Sequence, residues 1–207
     1  MRLILVLVSF SLVLASCSSK EDANAKNFGT AIDAYLEKNG QLCIGNSSIR
    51  KWPMEVAKNS KDVQKFDLLE KLGLATKEEA EIRNMMSISG DMLPAYRYSP
   101  SPSAEKYFRK NPPAALLPEG STQLCYGHKR LDKVVKWDTP GSSMKGPKET
   151  VVTFSYKIMD LADWANNPEV QAAFSEIKTS IDFAGKEDQK ERVKLTSEGW
   201  EVSGFFR

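Results

Sequence analysis

The stretch from Thr150 to Met159 reads Thr-Val-Val-Thr-Phe-Ser-Tyr-Lys-Ile-Met, and it decides the fold of its half of the chain. Large apolar side chains recur there at every second position, and they share one face: Val152, Phe154, Tyr156 and Ile158. The residues between them are Val151, Thr153, Ser155 and Lys157. A two-residue period is the signature of a strand with one face on a core, so this segment predicts a half-buried strand.

Further strands are predicted on both sides of this segment. Thr122 to Tyr126 and Lys129 to Trp137 are predicted as two strands joined by a turn at Gly127-His128. Arg192 to Thr196 and Gly199 to Phe206 are predicted as a hairpin, because turn-forming residues separate two apolar runs. These strands indicate an antiparallel sheet in the second half of the chain.

One helix is predicted to pack on that sheet. Asn167 followed by Pro168 is a typical helix start, with an asparagine cap and a proline in the first turn. Apolar residues then follow at helical spacing, at Val170, Phe174, Ile177 and Ile181. The second half is therefore predicted as an α+β subdomain, residues 114–207.

The first half, residues 28–111, is predicted to be a mainly helical subdomain. Phe28, Ile32 and Tyr35-Leu36 lie at helical spacing, and so do four later residues, Val63, Phe66, Leu69 and Leu72. The sequence Thr76-Lys77-Glu78-Glu79 has the pattern of a capping box and predicts another short helix. Lys110-Asn111-Pro112-Pro113 is predicted to connect the two halves. The expected fold class is α+β with a mainly helical N-terminal half.

Part of this half resembles the winged-helix family. The resemblance lies in the helix-to-turn segment Phe66–Leu74, the extended Tyr96–Ser99 and the downstream Glu105–Phe108. It implies a winged-helix-like shape with a structural or protein-binding role. The segment lacks a basic recognition helix, and three acidic residues, Glu78, Glu79 and Glu81, would repel phosphate groups. We therefore expect no nucleic-acid partner.

The N-terminus has the features of an export signal. After Arg2, the stretch Leu3 to Ala15 is almost wholly apolar. As a helix it would be about 20 Å long, too short for the roughly 30 Å hydrocarbon core of a bilayer. A basic start, a short apolar stretch and small residues after it are typical of a secretory signal.

The end of this signal, Leu14-Ala15-Ser16-Cys17, resembles the lipobox of bacterial lipoproteins. The resemblance implies that residues 1–16 are removed, that Cys17 carries diacylglycerol on its sulfur, and that its amino group takes a fatty acid such as palmitate. The alternative is an ordinary signal cleaved after Ala15 or Ser16. Several acyl chains give stable anchoring, so the chain is expected to be fixed to a membrane.

The resemblance also predicts where the anchored chain resides. Ser18 and Ser19 follow the cysteine without an aspartate, which in enterobacterial-type lipoproteins directs passage to the outer membrane, here to its periplasmic face. Residues 17–27 are predicted to be a lipidated tether. The formal net charge is +2, and it becomes +1 once Arg2 is removed, so no strong charge favours anionic partners. The second half resembles small proteobacterial lipoproteins without an assigned activity, at Leu124–Gly127, Lys133–Trp137 and Leu195–Trp200.

Export determines how the remaining cysteines are interpreted. With Cys17 lipidated, Cys43 and Cys125 are a pair in an oxidising compartment, which favours a disulfide between them. The alternative is zinc, because Cys125 and His128 have a Cys-x-x-His spacing. Zinc sites need three or four ligands, and His128 is the chain's one histidine. We therefore expect neither a metal nor a cofactor.

No sequence pattern of a known catalytic site is present, which favours a non-enzymatic binding or accessory module with an envelope protein partner. Trp52, which precedes a proline, and Trp164 are the candidate binding residues. Two alternatives stay open. Asp160 and Asp163 beside Trp164 are compatible with a hydrolase that acts on envelope glycans, and the chain is also compatible with an inhibitor or immunity protein.

Overall fold

The computed structural model describes residues 19–44, 52–84, 87, 89–111, 121–142 and 146–203. Its α-helices are α1 Ala25–Asn39, α2 Val63–Lys71, α3 Pro168–Ala173 and α4 Ser175–Phe183, and 3-10 helices span Pro102–Tyr107 and Asp163–Asn166. Its strands are β1 Gln41–Cys43, β2 Met54–Ala57, β3 Ala75–Arg83, β4 Met92–Pro100, β5 Phe108–Asn111, β6 Ser121–Trp137, β7 Gly141–Ser142, β8 Lys148–Met159, β9 Gln189–Thr196 and β10 Gly199–Val202.

Seven of the described strands form one antiparallel sheet in the order β1-β6-β8-β9-β10, with β5 beside β6 and β7 beside β8. The sheet includes strands from both sides of the predicted connector. β6 is its longest strand, and its register with β8 shifts at Leu131/Lys133 and at Val134/Lys136. Such irregularities increase the local twist of a strand, which helps the sheet to curl.

α1 packs against the curled sheet through one face. This helix has its apolar residues on one face, and they are buried: Phe28, Ala31, Ile32 and Leu36. They pack against Val152, Phe154, Val193 and Trp200 of the sheet. The rings of Phe28 and Trp200 meet edge to face, with 4.9 Å between their centroids, and Phe28 also lies 5.3 Å from Trp137. Phe28 thus joins two distant strands of the sheet.

A second core lies beyond the other end of β6. There a three-stranded sheet in the order β2-β4-β3 packs with α2, α3 and α4. Its largest buried side chains are Trp52, Phe66, Leu69, Tyr98, Leu124, Tyr126, Trp164, Phe174 and Ile177. β6 contributes to both cores: Leu124 and Tyr126 belong to the second, and the partly buried Leu131 and Val134 pack against the first.

The prediction of a mainly helical first half is wrong. Of the described residues, 44% are in strands and 30% are helical. Between residues 52 and 111, α2 is the one α-helix that the structure describes, so a winged-helix-like helical half is wrong as well. The chain from Thr76 to Glu79, predicted to start a helix, lies within β3.

Cross-strand contacts account for this difference. Lys77 Nζ lies 3.8 Å from the centre of the Tyr96 ring, and Lys77 also binds Asp67 of α2 at 2.7 Å. Glu78 faces Arg97, its partner on β4. Strand preference depends on such partners more than on intrinsic propensity, so β4 overrides the helical tendency of Glu, Lys and Ala.

Gly127 explains a second error. The predicted turn at Gly127-His128 is absent, because both residues lie within the single strand β6. A Cβ atom added to Gly127 would lie 2.7 Å from Ile158 Cγ2, so the glycine permits a close approach between strands.

The single helix predicted from Asn167 is also interrupted, since Phe174 has non-helical dihedral angles between α3 and α4.

Other predictions are confirmed. They are the helices at Phe28 and Val63, the strand at Thr150–Met159, the Asn167 cap and the hairpin of β9 and β10. The prediction that the strand at Thr150–Met159 is half-buried is wrong, because Thr153 and Ser155 on its other face are buried too. The capping oxygen of Asn167 accepts a hydrogen bond from the Glu169 amide at 2.8 Å. Residues 204–206 of the predicted hairpin, and Pro112-Pro113 of the connector, lie outside the described residues.

Candidate functional site: the His128 cleft

The predicted disulfide is confirmed. Cys43 of β1 and Cys125 of β6 are bonded, and they are register partners in neighbouring antiparallel strands. Because the Cys125 sulfur is in this bond, it is not a zinc thiolate. Among the described residues, no three histidine, cysteine, aspartate or glutamate side chains are grouped so that they could hold a metal ion.

The two candidate binding tryptophans are core residues. Trp52 is 6% exposed and meets the rings of Phe66 and Phe108 edge to face. Trp164 is 8% exposed and makes similar contacts with Tyr107 and Tyr126. The structure therefore places both indole rings inside the second core, where they pack against other aromatic side chains.

A polar cleft lies where β1, β5 and the end of β8 meet β6. Two pockets of about 330 and 590 Å³ adjoin here, and both are lined by Gln41, Arg109, His128 and Asp160. We call this continuous surface the His128 cleft. Its first pocket reaches Cys125, so the disulfide supports its floor.

The hydrogen bonds of Gln41 orient the His128 ring. The Gln41 amide nitrogen donates to the Gly127 carbonyl at 3.3 Å, and its amide oxygen lies 3.2 Å from His128 Nδ1. Since an amide oxygen only accepts, His128 Nδ1 is the donor. Within the described part of the chain, the buried Nε2 atom has no hydrogen-bond partner. The Gln41 side chain thus fixes the orientation of the His128 ring, whose Nε2 atom is buried beneath the surface of the cleft.

Arg109 places an exposed positive charge beside this ring. It lies on β5, opposite Gln123 of β6, and it lines three pockets. Among the residues that the structure describes, no carboxylate forms an ion pair with Arg109. An exposed guanidinium with five donors is well suited to bind a carboxylate.

The acidic candidates Asp160 and Asp163 line the same cleft. Asp160 directly follows β8 and has a φ of 52°, in the left-handed region that is uncommon for residues other than glycine. Asp163 begins the 3-10 helix that carries Trp164. The structure thus brings together the two carboxylates and the histidine that the sequence pointed to separately.

A further ion pair forms one wall. Arg130 binds Asp33 of α1 through two hydrogen bonds, of 2.9 and 2.6 Å, and the Leu131 amide donates to the same carboxylate at 3.2 Å. The hydrogen bonds from Arg130 hold the pKa of Asp33 below its usual value, although burial partly opposes them. This pair fixes α1 to β6 and keeps the wall charged at neutral pH.

Sequence reasoning missed Arg109 and Gln41. Arg109 lies in a segment predicted to be helical, and no local pattern distinguishes it from Lys106 or Lys110. Gln41 precedes the half-cystine Cys43, but only strand pairing brings it beside His128, 87 residues later. The one signal available was that His128 is the chain's single histidine.

The chain matches no family model, no curated protein and no solved structure. Among the described residues, no helix is long and apolar enough to span a membrane. The lipobox and Cys17 lie outside the described residues.

Proposed function

We propose that this chain is a lipid-anchored bacterial envelope protein that binds a protein partner through the His128 cleft, on the periplasmic face of the outer membrane. The support for the anchor is Leu14-Ala15-Ser16-Cys17, with the apolar stretch before it. Ser18 and Ser19 after the cysteine support the outer membrane as its location.

The observation that carries the binding role is the Arg109 guanidinium. It is exposed, forms no ion pair with a described carboxylate, and lines the same two pockets as His128. Lys106 adds a second positive charge to the first pocket, where its ammonium group lies over the Tyr107 ring. Because Asp160 and Asp163 line the same pocket, the cleft favours a partner segment that presents a carboxylate to Arg109 and Lys106 and a hydrogen-bond donor to the aspartates.

The position of the cleft favours a partner that approaches from the periplasm and not from the membrane. His128 and Trp137 lie on the same strand, nine residues apart. At about 3.3 Å per residue, they are separated by roughly 30 Å of strand. The end of β6 near Trp137 is next to the start of α1. The proposed lipidated segment, residues 17–27, leads into that end of the helix. The His128 cleft is therefore at the far end from the anchor.

The anchor is tested by replacing its cysteine. We expect Cys17→Ala to lose incorporation of an alkyne-labelled palmitate and to disappear from the outer-membrane fraction, as an unprocessed chain that still carries residues 1–16. The reason is that neither the thioether lipid nor the cleavage that depends on it can form. The Cys43→Ala/Cys125→Ala double variant is the matched control and should keep the label. A mature Cys17 whose mass shows no lipid would contradict the anchor.

The binding site is tested with Arg109→Glu in the full-length protein. A photo-crosslinking residue at position 159, where the exposed Met159 lines the second pocket, is expected to capture a stoichiometric envelope protein, and Arg109→Glu should abolish that adduct. Removing a charge pair from an interface costs about 2–5 kcal/mol, which is roughly 30-fold or more in affinity. Because Arg109 is exposed, its replacement should leave the melting temperature nearly unchanged.

Arg83→Glu is the control, since Arg83 is an exposed arginine on β3 and lines none of these pockets. An adduct that survives Arg109→Glu as well as it survives Arg83→Glu would exclude the His128 cleft as the binding site. Release of soluble glycan fragments by the wild-type protein, absent in Asp160→Asn, would instead favour the hydrolase alternative.

A further inference from the structure

The fold begins almost at the lipidated cysteine. Residues 17–27 were predicted as a tether, but Ser19 is already held by hydrogen bonds. Its carbonyl oxygen accepts from the Asn27 side chain at 2.8 Å and from the Asp22 amide at 3.1 Å. The Asn27 side chain also donates to the Asp22 carbonyl, at 2.9 Å. The segment before α1 is thus a turn fixed to the first residues of the helix.

The same segment is fixed to the hairpin of β9 and β10. The Trp200 indole nitrogen donates to the carbonyl oxygens of Glu21 and Asp22, at 3.1 and 3.2 Å. Lys20 lies 3.6 Å from Glu198 in the hairpin turn. Gly199 packs so closely that an added Cβ would lie 3.3 Å from the Lys20 carbonyl oxygen. These contacts leave little freedom between the fold and the cysteine.

Chain length then limits the distance to the lipid. Two peptide units separate Cys17 from Ser19, and consecutive Cα atoms are about 3.8 Å apart. Whatever the conformation of Ser18, the Cα atom of Cys17 lies within about 8 Å of the Cα atom of Ser19. A lipid on Cys17 therefore holds this end of the fold against the bilayer surface.

This end of the fold presents the one exposed tryptophan. The end of β6, the start of β8 and the turn between β9 and β10 lie together here, because the strands are antiparallel in this register. Trp137 is 37% exposed, whereas the other three tryptophans, Trp52, Trp164 and Trp200, are at most 8% exposed. Val135, two residues earlier, is 42% exposed. Partly exposed tryptophan is typical of proteins at the headgroup level of a membrane.

The charges near Trp137 are compatible with a lipid surface. Lys136 and Lys148 are exposed there and form no ion pair within the described residues, while Asp138 is exposed beside them. Glu198 and Glu149 are each next to a basic partner, Lys20 and Arg192. The net charge of these residues is close to zero. Contact with a membrane would therefore depend on the lipid anchor and on Trp137 more than on charge.

We propose that this end of the curled sheet rests on the membrane, with Trp137 at the lipid headgroups and the His128 cleft directed away from the bilayer. The proposal rests on the lipid anchor at Cys17. A free tether would let the fold adopt any orientation on the membrane. Here the contacts of Ser19, Lys20 and Trp200 fix that orientation.

The test uses the full lipidated protein in vesicles of phosphatidylethanolamine and phosphatidylglycerol with acyl chains brominated near the headgroup. Bromine quenches tryptophan fluorescence only at short range. We expect the wild-type protein to be quenched and Trp137→Phe to lose that quenching. Trp164→Phe is the matched control, because Trp164 packs in the core at the far end, and it should be quenched like the wild type.

Flotation of the same vesicles tests the lipid anchor separately from the orientation of the fold. Protein that floats, but is quenched equally in wild-type and Trp137→Phe forms, overturns the orientation and leaves the anchor in place. Protein that does not float overturns both. A loss of quenching confined to Trp137→Phe supports the orientation, provided that both variants float equally and keep the wild-type melting temperature.

Discussion

Reduction of the Cys43–Cys125 disulfide is expected to lower the free energy of unfolding by about 4 kcal/mol. The bond joins residues 82 positions apart, so its loss frees a long loop in the unfolded chain. The effect is measured by urea unfolding of the mature protein with and without a reducing agent. The Cys43→Ala/Cys125→Ala double variant should match the reduced protein and should not respond to reductant.

The structure also predicts what reduction leaves intact. β1 and β5 both pair directly with β6, so the first and second halves share backbone hydrogen bonds that do not depend on the disulfide. We therefore expect one cooperative transition at lower urea, and not the separation of two halves. Equal unfolding midpoints for the oxidised and reduced protein would contradict a stabilising role of the bond.

Trp52→Ala is expected to destabilise the protein by about 3–5 kcal/mol, as is typical when a large aromatic is removed from a core. Trp52 is 6% exposed, meets the rings of Phe66 and Phe108 edge to face, and its backbone amide donates to the Thr122 carbonyl at 3.0 Å. The side chain thus links α2 and β5 to the region where β6 begins. Urea unfolding of the single variant measures the loss.

Two further variants make this prediction specific. Trp52→Phe keeps an aromatic ring and should lose less stability, while Met92→Ala changes a side chain that is 52% exposed and should have little effect. A Trp52→Ala protein as stable as Met92→Ala would show that the ring is not a core residue. It also follows that any binding defect of Trp52→Ala has to be measured on protein that is still folded.

The sequence predicted those elements whose signal is local. β8 shows a two-residue period because its large apolar side chains share one face, while the other face is buried through small polar residues such as Thr153 and Ser155. α1 shows an apolar face at helical spacing because it has one side on a core. The Asn167 cap was predicted for a similar reason, since it depends on a side chain and an amide two residues apart. The disulfide was predicted from the number of cysteines and an oxidising compartment, without knowledge of the fold.

The errors lie where distant residues decide the conformation. The segment from Thr76 has the composition of a helix, yet it is the strand β3, because Tyr96 and Arg97 on β4 provide partners that no local pattern reveals. Gly127 resembled a turn residue, whereas it accommodates Ile158 of a neighbouring strand. In both positions the free energy of tertiary contacts outweighs the intrinsic preference of the chain.

By itself, the sequence determined the proposed lipid anchor, the disulfide and the elements with a clear period, since these depend on residues close together or on a count of cysteines. Only the tertiary structure decided that Arg109, Gln41 and His128 form one cleft, and that Ser19 and Trp200 hold the start of the fold. Strand pairing brings together residues far apart in the chain, and the energy of those contacts has no counterpart in any short stretch of sequence.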